Sequence, residues 1–140
     1  MKETRENGSE FAHCAKMAQL FRNSVSDKVE LAKDHRTSSR LNQVMHAIKA
    51  LDSTSARGER NVPTGIQHPD GPKQLQGFEF NSNGQITQIF TQLQALDVQN
   101  GTLNHQGFIP NKHLSYPEGA QEADLQLIAV QVDFSEGTYT

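Results

Sequence analysis

The sequence predicts an α+β fold: an N-terminal helical pair followed by an antiparallel β-sheet or β-sandwich of about five or six strands. Three observations lead there. Apolar residues recur at three-and-four spacing up to Leu51, a Pro/Gly-rich stretch interrupts the chain over 58–73, and apolar residues alternate with polar ones beyond it. The expected organisation is a single domain of 140 residues, with a helical region over 1–57, a connecting segment over 58–73 and a β region over 74–140.

From Ser9 the positions Phe11, Cys14, Ala15, Ala18, Phe21, Val25, Val29 and Ala32 trace one buried helical stripe, with Ser9 as the expected N-cap. An unbroken helix from 9 to 35 would be about 40 Å long, so a break is expected between Asn23 and Asp27. Leu41, Val44, Met45, Ile48 and Leu51 form a second stripe after a cap at Thr37 or Ser38, ending before Gly58.

Leu75 to Phe80 and Ile86 to Phe90 are expected as strands joined by the turn Asn81-Ser82-Asn83-Gly84. Asn100-Gly101 predicts a hairpin turn between Leu96-Asp97-Val98 and Thr102-Leu103-Asn104. Phe108-Ile109-Pro110 opens an edge strand or a loop. Leu125 to Phe134 is the clearest strand expectation, with Ile128, Val130, Val132 and Phe134 on a core face. The last residues, Ser135 to Thr140, predict a turn and the first step of a returning strand, which favours a chain cut from a longer protein.

Ser39-Arg40-Leu41-Asn42-Gln43-Val44, Gly77-Phe78-Glu79-Phe80-Asn81 and Val132-Asp133-Phe134-Ser135-Glu136-Gly137-Thr138-Tyr139 together resemble an uncharacterised family of bacterial proteins with a helical start and a β-rich remainder. The resemblance implies no activity and no site residues.

Composition narrows the function classes. The longest apolar run, Leu127-Ile128-Ala129-Val130, is far short of the roughly 20 residues that span a bilayer, so no membrane association is expected. The first residues are charged and no signal-type apolar stretch follows them; with a lone Cys14 in an apolar neighbourhood, this points to the cytoplasm. Residues 1–60 carry 11 Lys and Arg against 8 Asp and Glu, net +3, whereas residues 61–140 carry 2 against 8, net −6. Lys33, Arg36 and Arg40 are interleaved with acids, which argues against a nucleic-acid footprint.

No complete catalytic motif is present: there is no Gly-x-Ser-x-Gly elbow, no phosphate loop and no His-Glu-x-x-His helix. No catalytic residue and no cofactor is therefore expected, and the favoured reading is a non-catalytic binding or assembly module. Its partner would be another protein or a second copy, met through a sheet edge. The alternative is a small hydrolase or metal-dependent enzyme using His68, Asp70, His105 and His113, whose imidazoles and carboxylate are the right ligand types if folding gathers them. Histidines in solvent or in local hydrogen bonds are the competing explanation, and the favoured one.

Overall fold

The computed structural model describes residues 2–91, 96–97, 99–104 and 106–140. It divides into two compact units, 1–80 with 127–140, and 81–126. The Pro/Gly-rich stretch 58–73 thus lies inside the first unit.

The first unit is built on two helices, α1 (Lys2–Ser24) and α3 (Thr37–Ala50), joined through the single turn α2 (Ser26–Val29). The break falls at Val25, inside the interval where length required one, and Ser24 Oγ donates to the Phe21 carbonyl at 2.7 Å as α1 ends. α1 begins seven residues before Ser9. Its first turns carry good helix formers, and Glu3 and Glu6 meet Arg57 at 3.6 and 4.0 Å, so tertiary charge contacts extend the helix beyond its apolar stripe.

Cys14 and Ala18 of α1 pack with Leu41, Met45 and Ile48 of α3, the four-and-three spacing putting each set on one face. Val62 closes this core from the short helix α4 (Val62–Gly65). Asn61 caps α4 by accepting from the Thr64 N–H at 2.9 Å, and Pro63 occupies its first turn. Gly65 and Gly71, whose composition reads as helix-breaking, are close-approach positions. A Cβ on Gly65 would fall on the Ile48 carbonyl oxygen and 2.8 Å from its carbon; one on Gly71 would lie 2.6 Å from the Gly65 oxygen.

Beyond α4 the sheet expectation fails. Among the described residues, strands are confined to two separate two-stranded antiparallel ribbons, and helix is the dominant regular structure. The sheet or β-sandwich of five or six strands, and with it the α+β assignment, is corrected accordingly. Pro72–Leu75 is a 3₁₀ turn, α5, where Pro72 sets the backbone dihedral and removes a donor, and Phe78 and Phe80 pack edge to face at 5.3 Å in irregular chain after it. Ile86–Ile89, expected as a strand, is the helical turn α6 in the second unit; a short apolar run of this kind satisfies either periodicity.

The hairpin at Asn100-Gly101 does form, β1 (Leu96–Asp97) against β2 (Thr102–Leu103), with Gly101 at φ 61°. Asp97 accepts from the N–H groups of Gln99 and Asn100, both at 3.1 Å, which fixes the turn. Phe108-Ile109-Pro110 leads into a last helical turn, α7 (Pro110–His113), started by the proline.

The strand expected over Leu125 to Phe134 shrinks to β3 (Val132–Asp133), which pairs with β4 (Thr138–Tyr139) in the first unit. Gln131 and Thr140 exchange both backbone hydrogen bonds, at 2.9 and 3.0 Å, and extend this ribbon by one pair. Phe134 at its turn is 9 % exposed and joins the core on α1. Leu127, Ile128 and Val130 are exposed, and among the described residues the β3–β4 ribbon has no third strand. Val130→Asp is therefore expected to change stability by no more than about 0.5 kcal/mol, whereas Phe134→Asp, which buries an unpaired charge, unfolds the unit. Thermal melting of the two variants separates them; equal destabilisation would contradict the placement.

Candidate functional site

The densest cluster of ionisable groups sits where the loop after α3 returns to α1. Glu10 is 3 % exposed and lies on the same helical stripe as Cys14 and Ala18, four and eight residues on. One carboxylate oxygen accepts from Lys49 Nζ at 2.6 Å and Arg60 Nη2 at 2.9 Å; the other accepts from the Gly58 N–H at 2.8 Å and Arg60 Nε at 2.9 Å. The Arg60 fork is bidentate, the geometry that binds a carboxylate most strongly. Gly58 reaches it with φ 93°, a conformation open to glycine.

Asp52, just past the end of α3, is a second buried carboxylate held by hydrogen bonds. It accepts from the N–H groups of Thr54 and Ser55 at 3.0 Å and of Asn61 at 3.1 Å, folding residues 52–61 into a fixed loop. His13 Nε2 accepts from the Val62 N–H at 2.9 Å, satisfying the start of α4 from α1. The His46 ring packs against Phe11 with centroids 5.6 Å apart and the planes tilted by 38°.

These partners set the protonation states. The Arg60 guanidinium holds Glu10 well below the usual carboxylate range; burial opposes it, and Lys49 and the Gly58 N–H reinforce it. Burial works against the Asp52 carboxylate too, but hydrogen bonds from Ser55, Thr54 and Asn61 outweigh it and leave that group strongly acidic. Burial, then the charges of Lys16 and Lys49, pushes His13 down; burial and Lys49 do the same to His46. Burial pushes the Cys14 thiol up, which makes it an unreactive packing residue.

Glu10, Asp52, His13 and His46 all bind fewer protons folded than unfolded at acid pH, so stability falls as pH falls. The histidine contribution is lost from about pH 6.5 downward and the carboxylate contribution below about pH 5, where the unfolded groups begin to protonate. Urea midpoints at pH 7, 5.5 and 4 are expected to decline in that order; a flat profile would contradict the network.

A second polar clamp fixes the N-terminus of α3. Asp34 accepts from the Arg36 N–H at 2.8 Å and Arg40 Nη2 at 2.9 Å. The Phe80 carbonyl takes the Asp34 N–H at 3.0 Å and the Thr37 hydroxyl, while Arg40 Nη1 donates to the Glu79 carbonyl at 3.0 Å and its guanidinium lies over the Phe78 ring. Both clusters tie one stretch of backbone to another. Among the described residues, Arg40 Nε is buried without a hydrogen-bond partner; the hydrogen bonds named here all run to protein groups and hold loops.

The residues of the metal-enzyme alternative are placed as follows. His68 Nδ1 accepts from the Asp70 N–H at 3.1 Å in the first unit, and Asp70 pairs with Lys73 at 2.6 Å, which lowers its pKa. His113 belongs to the second unit, where its Nδ1 accepts from the Ile109 N–H at 2.9 Å. His105 lies outside the described residues. Among the described residues, no three His, Cys, Asp or Glu side chains are placed to hold a metal ion.

The other feature that offers chemistry is backbone. Among the described residues, the main chain of 121–130 makes no backbone hydrogen bond, and Leu127 to Val130 runs directly into β3 with Leu127 51 % and Ile128 39 % exposed. Among the described residues no helix is long and apolar enough to cross a membrane. Compared with known proteins, the chain matches no family model, no curated protein and no solved structure.

Proposed function

We propose that this chain is a non-catalytic assembly module whose docking element is the segment Leu127 to Val130, and that a second copy of the chain is what docks there. The open backbone beside the β3–β4 ribbon carries the reading: its N–H and C=O groups are a template for an added strand. Leu125 to Val132 contains no ionisable residue, so two copies can align antiparallel without opposing like charges while Ile128 and Val130 cover one another. The basic N-terminal and acidic C-terminal stretches of the sequence add an attraction that salt screens, since the Debye length falls from about 10 Å at 0.1 M to about 3 Å at 1 M. Membership of the uncharacterised bacterial family belongs to the same proposal, as does a cytoplasmic setting, for which the buried thiol of Cys14 is suited.

The experiment is sedimentation velocity over a concentration series at two ionic strengths, for the unaltered chain and for Ile128→Lys. Concentration-dependent association, weaker in high salt and absent in the variant with unchanged melting, is expected. A monomer at every concentration would overturn the reading, and association that survives Ile128→Lys would move it to another surface.

A further inference from the structure

The second unit contains a cavity of about 370 Å³, near the lower end of the roughly 300–1,000 Å³ range of small-molecule sites. Its frame is a local β-bridge between Phe90 and Leu114, in which the Thr91 N–H donates to the His113 carbonyl at 3.0 Å and the Ser115 N–H to the Ile89 carbonyl at 2.8 Å. That pairing lays the chain after α6 alongside the chain after α7 and brings three aromatic rings to the walls, Phe90, Phe108 and Tyr116. Phe90 and Phe108 stack with centroids 6.1 Å apart. Leu125 and Glu122 come from the segment that follows.

We infer that this cavity binds a small organic cation whose charge is carried by an alkylated ammonium. Ring faces are electron-rich and attract a cation within about 6 Å of their centroids, an interaction that strengthens as water is excluded. Among the described residues of the walls, Glu122 supplies the one formal charge at neutral pH, and it is negative. A primary ammonium needs three acceptors for its N–H groups. Here the Glu122 carboxylate is an acceptor, but the Tyr116 hydroxyl donates to Asn111 Oδ1 at 3.4 Å and most of the remaining wall is carbon. A quaternary or tertiary ammonium presents methyl groups to those walls and leaves no donor unsatisfied. The aromatic rings and the carboxylate are thus matched to an apolar cation and poorly matched to an anion.

The probe is choline, titrated into isotope-labelled protein with amide and aromatic NMR shifts as the readout, against its uncharged isostere 3,3-dimethylbutan-1-ol. Saturable shifts centred on Phe108, Tyr116 and Leu125 are expected with choline, at least tenfold weaker with the alcohol and at least tenfold weaker in Glu122→Gln. Glu122 is exposed, so that variant keeps its fold, and unchanged melting verifies it. Co-sedimentation with phosphatidylcholine vesicles, sensitive to Glu122→Gln, would assign the same chemistry to a lipid headgroup; choline binding without vesicle retention assigns it to a free cation. Equal affinity for the alcohol, or no saturation with choline, would overturn the inference.

Discussion

Glu10→Ala is expected to lower the stability of the first unit by about 3–5 kcal/mol, the range for removing one partner of a buried ion pair. The carboxylate accepts four hydrogen bonds from Lys49, Arg60 and Gly58. Without it the Lys49 ammonium, on a side chain 10 % exposed, faces the end of the core with no counter-charge, and the loop at Gly58 loses its anchor on α1. For a unit of this size the loss lowers Tm by more than about 10 °C. The penalty comes from stranded charge, so Lys49→Met placed on top of Glu10→Ala should recover some of it, a non-additivity that a double-mutant cycle reads directly. Additive losses would show that Glu10 and Lys49 act independently.

Gly65→Ala is expected to be nearly as damaging, about 3 kcal/mol, at the upper end of overpacking penalties. The obstacle is the Ile48 carbonyl in the α3 backbone, which has no rotamer to give. α4 must lift off α3, and Val62, fully buried, leaves the core with it. Gly8→Ala provides the contrast. It lies within α1 with nothing within 4 Å of its added carbon, so the same chemical change should stabilise by about 0.5–1 kcal/mol through helix propensity. Opposite signs in denaturant midpoints confirm that backbone contact, and not loss of glycine as such, is what matters at Gly65.

The helical stripes are legible in part because packing of α1 on α3 uses the periodicity itself: Cys14, Ala18, Leu41, Met45 and Ile48 are buried where the spacing puts them, whereas Phe11, Ala15 and Ala32 of the expected first stripe are exposed. The same spacing carries a further signal, in the charges. Glu10 precedes Cys14 by four residues and Lys49 follows Met45 by four, so each places a charge on a buried stripe; two such charges of opposite sign point to a buried pair. Gly65 and Gly71 are less accessible, since a glycine that breaks a helix and one that admits a neighbouring backbone are the same letter in a sequence.

Beyond Pro72 the expectation fails for a different reason. Alternation of apolar residues describes what one face of a strand needs, and a strand is stable only where a neighbour pairs with it and a second layer covers it. Asn100-Gly101 forms its hairpin as expected because turn chemistry is local. Leu127 to Val130 satisfies the pattern but, among the described residues, has no paired strand, and the proposed second copy would supply one. Of the candidate metal ligands, His68, Asp70 and His113 make their side-chain hydrogen bonds within a few residues of their own positions, a role that composition cannot distinguish from ligation.

Assembly of this kind requires an edge that is open in the isolated chain and closed by a second copy. Amide hydrogen exchange at Leu127, Ile128 and Val130, followed from dilute to concentrated protein, tests that requirement most directly. Fast exchange of these amides is expected in dilute solution, beside protected amides in α3, with protection that rises with concentration in step with sedimentation. Protection of the same amides in the dilute monomer would show that the chain covers its own edge, and would contradict assembly through it.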